Sequence, residues 1–103
     1  MIKSGVDLHD LQPQMALAYT IASVVYMRHG SRCVITSAKD GVHGFNSLHK
    51  RDGICRALDL RTHDILPAVV IDVHKELKEA LGEQFDVVLE DDHIHIEFDV
   101  PKA

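Results

Sequence analysis

The chain is poor in cysteine and has no excess of basic residues, and each shortage excludes a class of protein. Two cysteines, Cys33 and Cys55, are too few and too far apart for a zinc ribbon or a redox pair. Buried thiols or a single disulfide remain as the two interpretations. The formal net charge is -5 and the basic residues are scattered, which argues against a nucleic-acid partner.

Long hydrophobic runs are also lacking. The longest apolar stretch, Met15 to Met27, is interrupted by polar residues and is too short to span a bilayer. Residues 1–10 carry acidic side chains and no apolar segment, so we expect no secretory signal. These features predict a protein that is made in soluble form in the cytoplasm and has no membrane partner.

The length and composition are those of one globular domain. The chain has 103 residues, of which 46% are apolar and 26% charged, values within the ordinary globular range. This length can bury one modest core, and no internal repeat is visible. We therefore expect a single domain over residues 1–103.

Two segments have the signals of helices. One runs from about Asp10 to His29 and the other from about Asp64 to Leu81. Each begins with an aspartate as a possible N-cap, has a proline in its first turn and is followed by a glycine.

The remaining apolar segments are predicted to be strands. A long polar loop is predicted from Ser37 to Asn46. The predicted strands are Cys33 to Thr36, Ile54 to Leu60, Phe85 to Glu90 and His93 to Phe98. The last two form a hairpin around Asp91 and Asp92. The pattern predicts an α+β fold, a small and largely antiparallel sheet with helices packed on one face.

Alternation along the hairpin predicts which side chains share a face. If the core takes Phe85, Val87, Leu89, Ile94, Ile96 and Phe98, the opposite face holds Asp86, Val88, Glu90, His93, His95 and Glu97. A two-residue connection makes Glu90 and His93 direct neighbours and pairs His95 with Val88. The open face is therefore acidic and rich in imidazole.

Three side chains have the chemistry of a catalytic zinc site. His49, Asp59 and His95 offer two imidazoles and one carboxylate, which leave the fourth position of a tetrahedral site open. Such ligands let zinc lower the pKa of a water molecule towards neutrality. The alternative is a solvated strand face at His93 and His95, with Asp59 as a turn partner at a strand end.

The order of these residues resembles a zinc peptidase superfamily. Its members include D-Ala-D-Ala carboxypeptidases, vancomycin-resistance dipeptidases, phage L-alanyl-D-glutamate endolysins and the metal domain of hedgehog proteins. The similarity covers roughly residues 33 to 100 and rests on Ser47-Leu48-His49, Gly53, Ala57-Leu58-Asp59 and His93-Ile94-His95. It implies bound zinc, with His49, Asp59 and His95 as ligands, and the zinc cleft on the sheet face opposite the helices.

The resemblance also implies roles for neighbouring residues. His93 corresponds to a residue that steadies the attacked carbonyl or the water, and His43 to another active-site histidine, which would contact substrate. The general base is Asp92 by the spacing of the carboxypeptidases or Glu90 by that of hedgehog proteins. Strand alternation favours Glu90, because it points this side chain to the open face.

One spacing departs from the superfamily pattern. His49 and Asp59 are ten residues apart, which is three more than usual, and the extra residues fall between Lys50 and Cys55. Asp52 is therefore an alternative ligand to Asp59.

The implied function is zinc-dependent hydrolysis of the peptide stem of bacterial peptidoglycan, as a phage lysis or tail-associated enzyme acting at the cell wall. The bond could be D-Ala-D-Ala or L-Ala-D-Glu. One alternative is a zinc-binding interaction domain of the hedgehog kind that has lost catalysis. Another is a metal-free structural domain of a phage particle.

Overall fold

A computed structural model describes residues 2–4, 11–38 and 56–98 of the chain. These residues form two helices and four strands. In chain order the elements are α1 (Pro13–Arg28), β1 (Ile35–Ser37), β2 (Ala57–Arg61), α2 (Pro67–Leu81), β3 (Phe85–Leu89) and β4 (His93–Phe98).

The strands form one antiparallel sheet in the order β1-β2-β4-β3. This confirms the predicted α+β class. The two central strands are β2 and β4, and Asp59 of β2 pairs directly with His95 of β4. Two pieces of chain that lie far apart in sequence are therefore in register at the middle of the sheet.

Both helices contribute to a single apolar core with one face of the sheet. Met15, Ala18, Ala22 and Tyr26 of α1 are fully buried, and α2 adds Val73 and Leu77. The sheet contributes Leu58 and Leu60 of β2 and Ile94 and Ile96 of β4 to the same core. Burial of this apolar surface is the main stabilising contribution to the fold, and it leaves the other face of the sheet to polar side chains. We call that other side the open face.

The hairpin register agrees with the alternation in the sequence. Val88 pairs with His95, and the backbone N–H of Glu90 donates to the carbonyl of His93 over 2.9 Å. One predicted core position is wrong, because Leu89 is 37% exposed. It is the last residue of an edge strand, where a side chain has fewer neighbours to cover it.

The helix starts differ from the sequence prediction. α2 begins at Pro67 with Leu66 at the N-cap, so Asp64 is not the cap. The carboxylate of Asp64 instead lies 3.8 Å from Nε of Arg61. α1 begins at Pro13 with Gln12 at the N-cap, and neither helix has a side-chain hydrogen bond at its cap. Proline fixes the backbone of the first turn in both helices.

The sequence analysis also made predictions about the cysteines and about membrane-spanning segments. Cys33 is buried as a thiol, and burial raises its pKa to about 12, which makes it unreactive at neutral pH. Cys55 lies outside the described residues. Neither described helix has the length and apolar character needed to cross a membrane.

Candidate functional site

The centre of the open face holds a close pair made by Asp59 and His95. Nδ1 of His95 lies 2.6 Å from Oδ1 of Asp59. Strand register explains the contact, because residues directly opposite on neighbouring antiparallel strands place their side chains on the same face. The His95 and Asp59 side chains are only 18% and 15% exposed. Two of the three predicted zinc ligands are therefore adjacent.

Glu97 contacts the other ring nitrogen of His95. Its Oε1 lies 2.5 Å from Nε2 of His95, and a hydrogen bond between a ring N–H and a carboxylate is charge-assisted when the ring is protonated. Burial by itself lowers the pKa of His95, but the hydrogen bonds and charges of Asp59 and Glu97 outweigh burial and raise that pKa from 6.5 to about 9. In the metal-free protein at neutral pH, His95 is an imidazolium that donates to two carboxylates.

His93 links the same pair to the hairpin turn. Nδ1 of His93 lies 2.7 Å from Oδ1 of Asp92, and Nε2 of His93 lies 3.7 Å from Oδ1 of Asp59. The hydrogen bond from His93 lowers the pKa of the Asp92 carboxyl, and the charge of the ring adds to the effect. Asp92 is therefore ionised at neutral pH and orients the His93 ring towards Asp59.

These contacts form a continuous row of alternating acids and imidazoles, which we call the polar row. In spatial order its members are Asp92, His93, Asp59, His95 and Glu97. Three carboxylates face two imidazoles, so the row has a net negative charge even when both rings are protonated. Such a row attracts a cation, and carboxylate with imidazole is a ligand set that zinc accepts.

The two candidates for general base lie in different surroundings. Asp92 and His93 line one polar hollow, of about 390 Å³, together with Thr36 and Arg61. Glu90 lines a separate hollow beside the start of α2, with Ile65 among its neighbours. Although Glu90 stands opposite His93 in the backbone register, the carboxylate bonded to the His93 ring is that of Asp92.

The hollow at Asp92 also has two cationic side chains, those of Lys3 and Arg61. The imidazole of His63 lines it as well, together with His93 and Asp92. The buried Nε of Arg61 has no hydrogen-bond partner within the described chain, and its nearest carboxylate oxygen is that of Asp64 at 3.8 Å. Because this atom is buried, it cannot bind a molecule in the hollow, and the positive charge available there comes from Lys3 and from the exposed part of the Arg61 side chain, next to the ionised carboxylate of Asp92.

The fit of zinc can be judged for two ligands. Two atoms bound to one tetrahedral zinc at about 2.0 Å each stand about 3.3 Å apart. His95 Nδ1 and Asp59 Oδ1 are 2.6 Å apart, so zinc would replace the shared proton only after the two atoms moved apart by about 0.7 Å. An imidazole nitrogen and a carboxylate oxygen are donors of the kind that zinc accepts.

A complete site does not lie within the described part of the chain. Across residues 2–4, 11–38 and 56–98, no group of three or more His, Cys, Asp or Glu side chains is arranged to hold a metal ion. The predicted third ligand His49, the predicted substrate contact His43 and the alternative ligand Asp52 lie outside these residues. Their roles stay predictions.

Comparison with known proteins gives no relative: no family model, curated protein or solved structure matches the chain. The assignment of function therefore depends on the residues themselves.

Sequence reasoning missed one contact and one lining residue of the site. It placed Glu97 on the open face but not at the His95 ring, although two residues apart on a strand is the spacing that puts side chains on the same face. It also gave no role to Arg61, which follows Asp59 by the same spacing.

Proposed function

We propose that this protein is a zinc-dependent peptidase that hydrolyses the peptide stem of bacterial peptidoglycan, as a phage-type lysis or tail-associated enzyme. The observation that carries the proposal is the pairing of Asp59 with His95 across the central strands, 2.6 Å apart, with His93 beside them. The sequence resemblance names these positions, and their proximity in the fold supports it.

Asp59 and His95 would hold the zinc ion together with His49 from outside the described residues. Zinc supplies a Lewis acid that polarises the scissile carbonyl and makes a water molecule more acidic. The protein's own contribution is to orient the reacting groups and to move the proton. His93, held by Asp92, directs Nε2 towards Asp59 and can donate a hydrogen bond to the oxyanion of the attacked carbonyl.

The general base is assigned to Asp92 in preference to Glu90. Asp92 lies in the same hollow as His93 and is bonded to its ring at 2.7 Å. It can accept the proton of the attacking water and return it to the leaving amine. Glu90, which strand alternation favours, lines instead the hollow beside the start of α2.

The hollow lined by Lys3 and Arg61 would orient the substrate. Stem peptides carry free carboxylates, and Arg61 and Lys3 line the space next to His93 and Asp92. A guanidinium binds a carboxylate with directed hydrogen bonds. A substrate carboxylate in this hollow would bring the neighbouring peptide bond towards the polar row.

Metal analysis of the purified protein tests the proposal. We expect about one zinc per chain, and loss of that zinc in His49→Ala, His95→Ala and Asp59→Ala because each removes one of three protein ligands. Asp52→Ala is the matched control, and it should keep its zinc. Full occupancy in the three ligand variants would refute the site, and loss in Asp52→Ala with retention in Asp59→Ala would move the ligand to Asp52.

A further inference from the structure

Glu97 has no part in the zinc site that the sequence resemblance implies, yet it makes one of the shortest contacts of the polar row. Its Oε1 and Nε2 of His95 are 2.5 Å apart. The two residues lie two positions apart on β4, so the pleat of the strand places both side chains on the open face. The contact follows from strand geometry and is not a chance crossing of long side chains.

Each nitrogen of the His95 ring contacts a carboxylate, Asp59 at Nδ1 and Glu97 at Nε2. A histidine binds a metal through one ring nitrogen after that nitrogen loses its proton, and the other nitrogen keeps its N–H. One of the two carboxylates must therefore give up its hydrogen bond when a metal ion is bound, and the other can remain.

The surroundings of the two carboxylates indicate which one remains. Oδ1 of Asp59 is shared between His95 at 2.6 Å and His93 at 3.7 Å, in the middle of the polar row. Glu97 stands at the end of the row, and its side chain is more exposed, 25% against 15% for Asp59. A metal ion between Asp59 and His95 can use the central carboxylate and leave the terminal one in place.

We propose that Glu97 is a positioning residue for the metal centre: it accepts the N–H of His95 Nε2 and so directs Nδ1 towards Asp59 as the metal-binding nitrogen. This inference rests on the proposed function. A carboxylate behind a ligating histidine fixes the orientation of the ring and makes the ligating nitrogen more basic, and loss of such a partner commonly weakens metal binding 10- to 100-fold.

The test compares zinc dissociation constants, measured by competition with a chelating dye, across a graded series. Glu97→Gln keeps an acceptor oxygen but removes the charge, and Glu97→Val removes the acceptor with a side chain that suits a strand. The matched control is Asp86→Asn, because Asp86 is the cross-strand partner of Glu97 and is exposed on the same face. Circular dichroism establishes that each variant is folded.

We expect zinc binding by Glu97→Val to be about 10- to 100-fold weaker than wild type, Glu97→Gln to lie between them, and Asp86→Asn to match wild type. Equal affinity in wild type and Glu97→Val would overturn the inference while leaving the proposed function intact. Complete loss in Glu97→Val, as for Asp59→Ala, would make Glu97 a ligand and also overturn it. Absence of zinc binding by the wild type would refute both.

A second measurement needs no variant. In the zinc-loaded wild-type protein, a long-range ¹H–¹⁵N NMR spectrum distinguishes a protonated ring nitrogen from a metal-bound one. We expect His95 to be protonated at Nε2 and metal-bound at Nδ1. The opposite assignment would show that Glu97, not Asp59, yields its hydrogen bond, and would overturn the inference.

Discussion

The stability of the metal-free protein should fall as the pH rises from 6 to 9.5, because of His95. The pKa of this residue is raised from 6.5 to about 9 in the folded chain. A raised pKa means that the folded state holds the proton more tightly than the unfolded state does. The resulting stabilisation is complete below about pH 6.5 and is lost as the pH passes through about 9.

The difference between the two pKa values corresponds to at most about 3 kcal/mol. The His95 side chain is 18% exposed, so water screens part of its interaction with Asp59 and Glu97. A loss of about 2 kcal/mol is therefore the expected outcome, which is a large share of the 5–15 kcal/mol typical of a domain.

Urea unfolding followed by circular dichroism, in the presence of a chelator, measures this effect at several pH values. His95→Gln is the control, because it keeps a polar side chain but cannot titrate, and its free energy of unfolding should depend less on pH. Parallel pH curves for wild type and His95→Gln would refute the reasoning that both carboxylates stabilise the protonated ring.

The other predictions concern catalysis. Asp92→Asn should keep zinc and fold but reduce turnover by roughly 10² to 10⁴, the usual effect of removing a positioned general base, whereas Glu90→Gln should remain near wild type. Full activity in Asp92→Asn together with an inactive Glu90→Gln would exchange the two roles. Arg61→Gln should raise KM roughly 10-fold or more for a stem peptide with free carboxylates, and much less for the same peptide with its carboxylates amidated. An equal change for both substrates would exclude carboxylate binding by Arg61.

Residue alternation predicted the hairpin because one face of the sheet is covered by helices and the other is polar. That arrangement fixes the register, since a shift by one residue would expose Ile94 and Ile96 and bury His93 and His95. The alternation could not predict Leu89, whose exposure depends on its place at the end of an edge strand. It also could not predict where α2 begins, because Pro67 rather than Asp64 determines the first turn.

Only part of the candidate site could be predicted from the sequence. His95 and Asp59 could be named from their motifs, but their contact depends on β2 lying next to β4, a strand order that no local pattern encodes. The hydrogen bond between Glu97 and His95 follows a simple spacing on one strand and could have been anticipated. The hollow at Arg61 joins Lys3, Thr36 and the hairpin turn, which only the folded chain brings together.

Digestion of purified muropeptides, with mass-spectrometric assignment of the products, tests the peptidase claim most directly. The zinc-loaded protein should release products cut at one bond of the peptide stem, either D-Ala-D-Ala or L-Ala-D-Glu. The same protein treated with a chelator should release none, and added zinc should restore the cleavage. Intact muropeptides after incubation with protein that holds one zinc per chain would contradict the account and leave a zinc-binding domain without peptidase activity.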